Sequence, residues 1–268
     1  LAGLAEVERF GEARMMYSRN FWIVVFGFVQ LLGCSAALSA DKAVAGLSAS
    51  HKTVSFKSAG KQVSVEWYRP VTESDDAKLP TIIIFHGSGG LGDSGGFFRD
   101  LADRLAQGRR AVAVVHYMDS TSLKSAGNAE MARYFGTWLK TAEDTFLYVR
   151  QQSFVDKDKI SLLGHSLGAQ LALQLAAHNR SVASVIDLAG CFVLPTVRIT
   201  AMPPVLVLHG KADAVVPLTR ERSMVSVLKR TGCSYEEHLL PGVDHAFNNI
   251  SFDEIMGLIG RFLEARKL

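Results

Sequence analysis

The sequence predicts an α/β domain: a mostly parallel sheet that opens with an antiparallel hairpin and carries helices on both faces. Three observations predict it. Short, continuous apolar runs recur at 81–85, 111–116, 160–163, 182–188 and 205–209, as expected of strands buried on both faces. Segments with apolar residues three and four apart lie between most of them, the spacing of amphipathic helices. Two alternating segments, 51–58 and 61–68, come before all of these and are joined by Ala59-Gly60, which reads as a hairpin. Repeated strand–helix units after a hairpin give parallel pairing with helices on either side.

Each element has its own signal. The strand at 81–85 ends in His86-Gly87. A helix over 97–106 rests on Phe97, Leu101 and Leu105 and stops before Gly108. A strand follows at 111–116, then a long amphipathic helix at 131–151. The strand at 160–163 leads into a helix at 167–178 rich in Ala and Leu. Strands at 182–188 and 205–209, a helix at 218–230, an alternating strand at 235–240 and a helix at 252–265 complete the order. No linker interrupts 45–268, so one domain is expected over 41–268, and no internal repeat is visible.

Composition excludes several classes. The 268 residues are 48% hydrophobic and 21% charged, too apolar for a disordered chain. The formal charge is +3, from 29 basic and 26 acidic residues, but no Lys/Arg block accompanies it, so nucleic-acid binding has no support. Three Cys exclude a disulfide scaffold and a four-Cys zinc site. The histidines lack ligand spacing and no HExxH occurs. No GxGxxG or phosphate-loop pattern follows a strand. No metal and no cofactor are expected.

The first 40 residues read as a leader. Residues 1–14 are mixed polar and look like upstream read-through ahead of a start at Met15 or Met16. From there the chain fits a secretory signal over 15–40: Arg19, an apolar run at 21–32, then small residues. The stretch 21–40 is uncharged and also near the length of a membrane span, so a retained anchor is the alternative. Leu31-Leu32-Gly33-Cys34 resembles a bacterial lipobox, which would lipidate Cys34. The expectation is an exported protein, periplasmic or secreted, whose membrane contact runs only through a signal or lipid anchor.

The chemistry is carried by Gly164-His165-Ser166-Leu167-Gly168, set between an apolar strand and an apolar helix. In that context the pattern is a nucleophile elbow, with Ser166 at the apex of a sharp turn. A serine hydroxyl needs a base, and the base an orienting acid. Both should come from the ends of later strands. His209-Gly210-Lys211-Ala212-Asp213 places Asp213 just beyond one strand, and Val243-Asp244-His245 places His245 before the last helix. Asp187, at the end of the 182–188 strand, is the rival acid. Asp244 is read as solvent-exposed, and His86 and His209 as structural histidines. His116 is a candidate for the cleft wall, while His51, His178 and His238 read as surface residues.

On these residues the chain resembles the α/β-hydrolase superfamily and, within it, the dienelactone hydrolase family. The elbow, the His86-Gly87-Ser88-Gly89-Gly90 loop, the HGKADAVVP stretch and the DHAF segment carry the resemblance over roughly 50–268. It implies an α/β-hydrolase fold, a Ser166–Asp213–His245 triad, and an oxyanion hole from the backbone N–H of Leu167 and of Ser88, with Gly87 or Gly89 as alternatives to the latter. The founding dienelactone hydrolases carry Cys at the nucleophile position. Ser166 stands there in this chain, so the dienelactone substrate does not carry over and a serine esterase is implied. The stretch 191–204 is too short for a folded cap domain, which implies an open cleft and small ester substrates. Tyr117, Met118, Cys191 and Phe192 follow strand ends on the catalytic side and are candidate cleft residues, with plain core packing as the alternative. Cys191 and Cys233 fall at opposite ends of the sheet and should not pair. The alternatives to an esterase are a peptidase related to prolyl oligopeptidases and a catalytically inactive hydrolase fold used as a surface binding protein. Oligomeric state is not legible.

Overall fold

Alternation builds the hairpin. Val63, Val65 and Trp67 are buried along Lys61–Pro70 (β2), which pairs antiparallel with Ala49–Ser58 (β1). Ala59 and Gly60 both have positive φ, 47° and 79°, the backbone of a two-residue turn whose twist suits a hairpin. The computed structural model describes residues 49–71, 78–92, 95–193 and 199–268. The leader, the lipobox at 31–34 and the domain start at 41 therefore lie outside the described residues.

The apolar runs become Leu79–Phe85 (β3), Ala111–Val115 (β4), Val155–His165 (β5), Ser184–Leu188 (β6), Val205–Gly210 (β7) and Tyr235–Leu240 (β8). They join β1 and β2 in an eight-stranded sheet of order β1-β2-β4-β3-β5-β6-β7-β8. Pairing is antiparallel for β1–β2 and β2–β4 and parallel from β4 to β8. The helices are Gly95–Gln107 (α1), Asn128–Arg150 (α2), Leu167–His178 (α3), Leu218–Thr231 (α4) and Phe252–Glu264 (α5).

The sheet divides the core. On one face α2, α3 and α4 supply Trp138, Phe146, Leu171 and Met224; on the other α1 and α5 supply Phe98, Leu101, Ile259 and Phe262. Fully burying a side chain such as Phe146 or Phe262 contributes about 1.5–3 kcal/mol. Because β3 to β8 run parallel, their C-terminal ends share one edge, where open α/β sheets place ligand sites.

The differences from expectation are local. β5 begins five residues early, at Val155, which pairs with Leu79 across a register shift. Its first stretch of sequence, Val-Asp-Lys-Asp-Lys, is too polar to signal a strand. A 3₁₀ turn at Tyr117–Thr121 stands where a plain loop was expected, and α2 starts at Asn128 rather than 131. β6 starts at Ser184, because the Val182 amide is engaged with the Asn179 carbonyl in a turn. Cys191 and Cys233 are both free thiols.

Candidate active site

The elbow follows from the packing of β5 and α3 against β3. A Cβ on Gly164 would lie 2.3 Å from the Gly168 carbonyl carbon, and one on Gly168 would lie 2.0 Å from the Phe85 carbonyl oxygen. Only glycine lets the three backbones approach this closely. Ser166, between them, is held at φ 53° and ψ −117°, a conformation that costs about 1–3 kcal/mol in a residue with a side chain. The fold holds it there: the Ser166 amide donates to Leu188 O at 2.9 Å, and Ser166 O accepts from the Gln170 amide at 3.0 Å.

Asp213 lies just beyond β7. Its Oδ1 accepts from the amides of Val215 and Val216, both at 2.8 Å, and its Oδ2 lies 2.7 Å from His245 Nδ1. Burial alone would raise this carboxyl's pKa; the His245 hydrogen bond, the two amides and the His245 charge outweigh it and hold the pKa below the ordinary value. An ionised Asp213 can only accept, so Nδ1 carries the imidazole proton. Nε2 then presents its lone pair to Ser166 Oγ, 2.8 Å away. The Asp213 side chain is fully buried, that of His245 is 17% exposed, and Ser166 is buried. The arrangement can therefore remove a proton from Ser166 while stabilising the imidazolium that forms.

The rival acids are differently placed. Asp187 is wholly buried and neither carboxyl oxygen has a well-aligned hydrogen-bond partner. Burial pushes its pKa up to about 8, although the Gly190 amide nearby opposes the rise. Asp244 is half-buried rather than exposed, and caps its own loop: Oδ1 accepts from the Ala246 and Asn248 amides at 3.1 and 2.9 Å, and Oδ2 from Asn248 Nδ2 at 2.8 Å.

The loop bearing Ser88 abuts the elbow, since a Cβ on Gly168 would meet the carbonyl oxygens of both Phe85 and His86, at 2.0 and 2.5 Å. It is anchored by Ala126 N–H to Ser88 O at 2.8 Å and by Tyr117 Oη–H to His86 O at 3.0 Å. Leu167 is the first residue of α3, and an amide there has no carbonyl one turn back within its helix. Burial lowers the His86 pKa to about 4, so its ring is neutral near pH 7, with Nδ1 2.8 Å from Gly87 O.

Of the four candidate cleft residues, Met118 lines a cavity. Tyr117 is fully buried and stacks on His86 with ring centroids 4.3 Å apart; it supports the loop from beneath. Cys191 is buried, with Gln170 Nε2 3.8 Å from its Sγ, and Phe192 packs on the core. The cavity, about 440 Å³, adjoins the Ser88 loop through His86 and Gly89 and is walled by Arg99, His116, Met118 and Asp119; Ser166 is not part of its lining. His116, at its strand end, lines this cavity rather than the surroundings of Ser166.

Sequence reasoning missed Glu66 and Arg99. Glu66 is buried on β2, and its two oxygens take Arg99 Nε and Nη2 at 2.9 and 2.7 Å, His116 Nε2 at 2.8 Å and Tyr68 Oη at 3.2 Å. Burial raises its pKa, but the hydrogen bonds from Arg99 and His116 bring it down to about 2. The available signal was an acid inside a strand whose neighbours, Val65, Trp67 and Tyr68, are all apolar or aromatic.

The model of the dienelactone hydrolase family matches residues 67–256. The chain belongs to the dienelactone hydrolase family. It is a hydrolase of that type, and its fold is the α/β-hydrolase fold. Among solved structures it is similar to a dienelactone hydrolase-like promiscuous phosphotriesterase from metagenomic libraries, with 17% identity, TM-score 0.66, and 81% of this chain and 95% of that one covered. It is likewise similar to an esterase of Thermogutta terrifontis, solved with propionate, at 18% identity, TM-score 0.66 and coverage of 83% and 95%. The same organism's esterase 2 phosphorylated by paraoxon aligns at 19% identity and TM-score 0.67, covering 82% of this chain and 94% of that one. None of the curated proteins matches the chain.

Proposed function

We propose that this hydrolase cleaves small carboxylic esters through an acyl-enzyme on Ser166. The observation that carries the reading is the unbroken relay from Asp213 Oδ2 to His245 Nδ1 at 2.7 Å and from His245 Nε2 to Ser166 Oγ at 2.8 Å. Ser166 Oγ attacks the ester carbonyl carbon while its proton passes to His245 Nε2. The carbonyl oxygen becomes an oxyanion, received by the amides of Leu167 and Ser88. Collapse of the tetrahedral intermediate breaks the C–O bond, and the leaving alkoxide takes the proton from Nε2. Water, deprotonated by the same nitrogen, then attacks the acyl carbon, releases the carboxylic acid and returns the proton to Ser166. No cofactor enters the scheme.

A fluorophosphonate probe tests the nucleophile: Ser166 should carry the adduct by peptide mapping, and wild-type protein that stays unlabelled would overturn the reading. The phosphorylated form of the T. terrifontis esterase 2 supports this choice of probe. A series of p-nitrophenyl esters tests the substrate class, with the highest kcat/KM expected at short acyl chains. The 15–40 segment further supports export before the enzyme acts, which fractionation of cells and N-terminal sequencing of the mature protein would test.

A further inference from the structure

His165 precedes the nucleophile, and the relay just described does not use it. At the last position of β5, two residues after Leu163, its side chain lies on the α1/α5 face of the sheet. There it meets Phe98 of α1 and Phe247 of the base loop, with ring centroids 6.2 and 6.0 Å away, and the His245 ring at 5.2 Å. His165 Nε2 lies 2.9 Å from the backbone carbonyl oxygen of His245, a residue 80 positions along the chain. A carbonyl only accepts, so Nε2 carries the proton and donates it. Burial, with a contribution from the nearby His245, lowers the His165 pKa to about 4, so near pH 7 the ring is neutral and holds that single proton. On its other side, Nδ1 would be 2.9 Å from a Cβ on Gly87, the residue before Ser88. One imidazole therefore touches the base loop and the oxyanion loop, and is covalently next to the nucleophile.

The base loop needs such an anchor. It follows β8, at the end of the sheet order, and must reach back past β7 and β6 to the end of β5. Phe247 and Asn249 sit at positive φ, 60° and 65°, so the loop's path is a strained one. Asp244 ties the loop to itself. The hydrogen bond from His165 ties it to the elbow.

We propose that His165 is a positioning residue: its Nε2–H bond to the His245 carbonyl holds the base in register with Ser166. The inference rests on the esterase reading above. Displacement of a reacting group by about 1 Å can cost about 10²-fold in rate, and slackening one of several loop anchors should cost about 10- to 100-fold.

The test uses His165→Gln, whose side-chain amide can donate from near the Nε2 position, His165→Phe, which keeps a ring without a donor, and His165→Asn, a polar variant too short to reach. With a short p-nitrophenyl ester, His165→Phe and His165→Asn should lose about 10- to 100-fold in kcat with KM within about threefold of wild type. The rate of fluorophosphonate labelling at Ser166 should fall in proportion, and His165→Gln should recover most of both. Circular dichroism and melting check folding; if the Phe variant does not fold, the Gln–Asn pair decides. Equal kcat in folded Gln and Asn variants, or a loss expressed in KM alone, overturns the proposal. Wild-type protein that labels at Ser166 keeps the esterase reading intact in that event, whereas wild-type protein that does not label removes both.

Discussion

Asp213→Asn exchanges one carboxylate oxygen for an NH₂ group, and the structure dictates which way the new amide must face. Oδ1 accepts two backbone amides, from Val215 and Val216, each at 2.8 Å. Placing an NH₂ group there would oppose donors to donors, so the carboxamide oxygen keeps that position and the NH₂ takes the place of Oδ2. The NH₂ then points at His245 Nδ1, which in the wild type lies 2.7 Å from Oδ2. Facing a donor, Nδ1 must become the acceptor, and the ring proton moves to Nε2. Nε2–H now faces Ser166 Oγ across 2.8 Å and cannot take a proton from it. The variant keeps its geometry and holds the wrong tautomer.

By analogy with other Ser–His–Asp triads, where this substitution has been worked out, the expected loss in kcat is about 10⁴, or roughly 5.5 kcal/mol at about 1.36 kcal/mol per decade. The assay is hydrolysis of a short p-nitrophenyl ester at neutral pH, with circular dichroism to establish the fold. Labelling by a fluorophosphonate should slow in parallel, because it needs the same activated Oγ. Folded Asp213→Asn protein within tenfold of wild-type turnover would refute the tautomer argument and detach Asp213 from the base.

Three further outcomes are expected. Ser166→Ala and Ser166→Gly should both lose about 10⁴–10⁶ in turnover, and the Gly variant should be the more stable by about 1 kcal/mol in denaturant titration, since relief of the strained φ of 53° exceeds the entropic cost of glycine. Gly168→Ala should cost about 1–3 kcal/mol or more, seen as a lowered Tm or insoluble protein, because its Cβ would meet the Phe85 carbonyl at 2.0 Å and backbone cannot rotate away. Asp187→Asn should stay active within a fewfold; its effect is on stability. A carboxyl whose pKa rises from 3.8 to about 8 on folding leaves the native state holding more protons than the unfolded chain between those values, so stability falls as pH rises through that window. The Asn variant, unable to ionise, should gain on wild type by on the order of a few kcal/mol between pH 5 and pH 9, and parallel melting curves across that range would refute it.

What could be read in the sequence follows from the range of each interaction. The elbow was legible because its two glycines fall within five residues, between a strand and a helix that are both visible as patterns, although Gly168 is required by the approach of β3 rather than by the turn alone. Asp213 and His245 were legible as residues beyond strand ends, since a parallel sheet gathers those ends on one edge. The polar start of β5 was not, because only Val155 of Val155–Lys159 is apolar, and its partner, Leu79 on β3, lies far back along the chain across a register shift. The same holds more sharply for charge. Glu66 and Arg99 are 33 residues apart, and Glu66 and His116 are 50 apart. Periodicity along one strand cannot report a partner on another. The antiparallel β2–β4 pairing, in which Glu66 stands opposite Val114, brings in His116 two residues later, while Arg99 arrives from α1, which packs against β2. A buried carboxylate is costly unless its oxygens are filled, and Glu66 has four donors. An acid at a strand position flanked by apolar residues thus predicts converging hydrogen-bond donors, even when the sequence hides which ones. Followed through, that rule leads to the wall of the cavity beside the Ser88 loop, which Arg99 and His116 line while hydrogen-bonded to the Glu66 carboxylate.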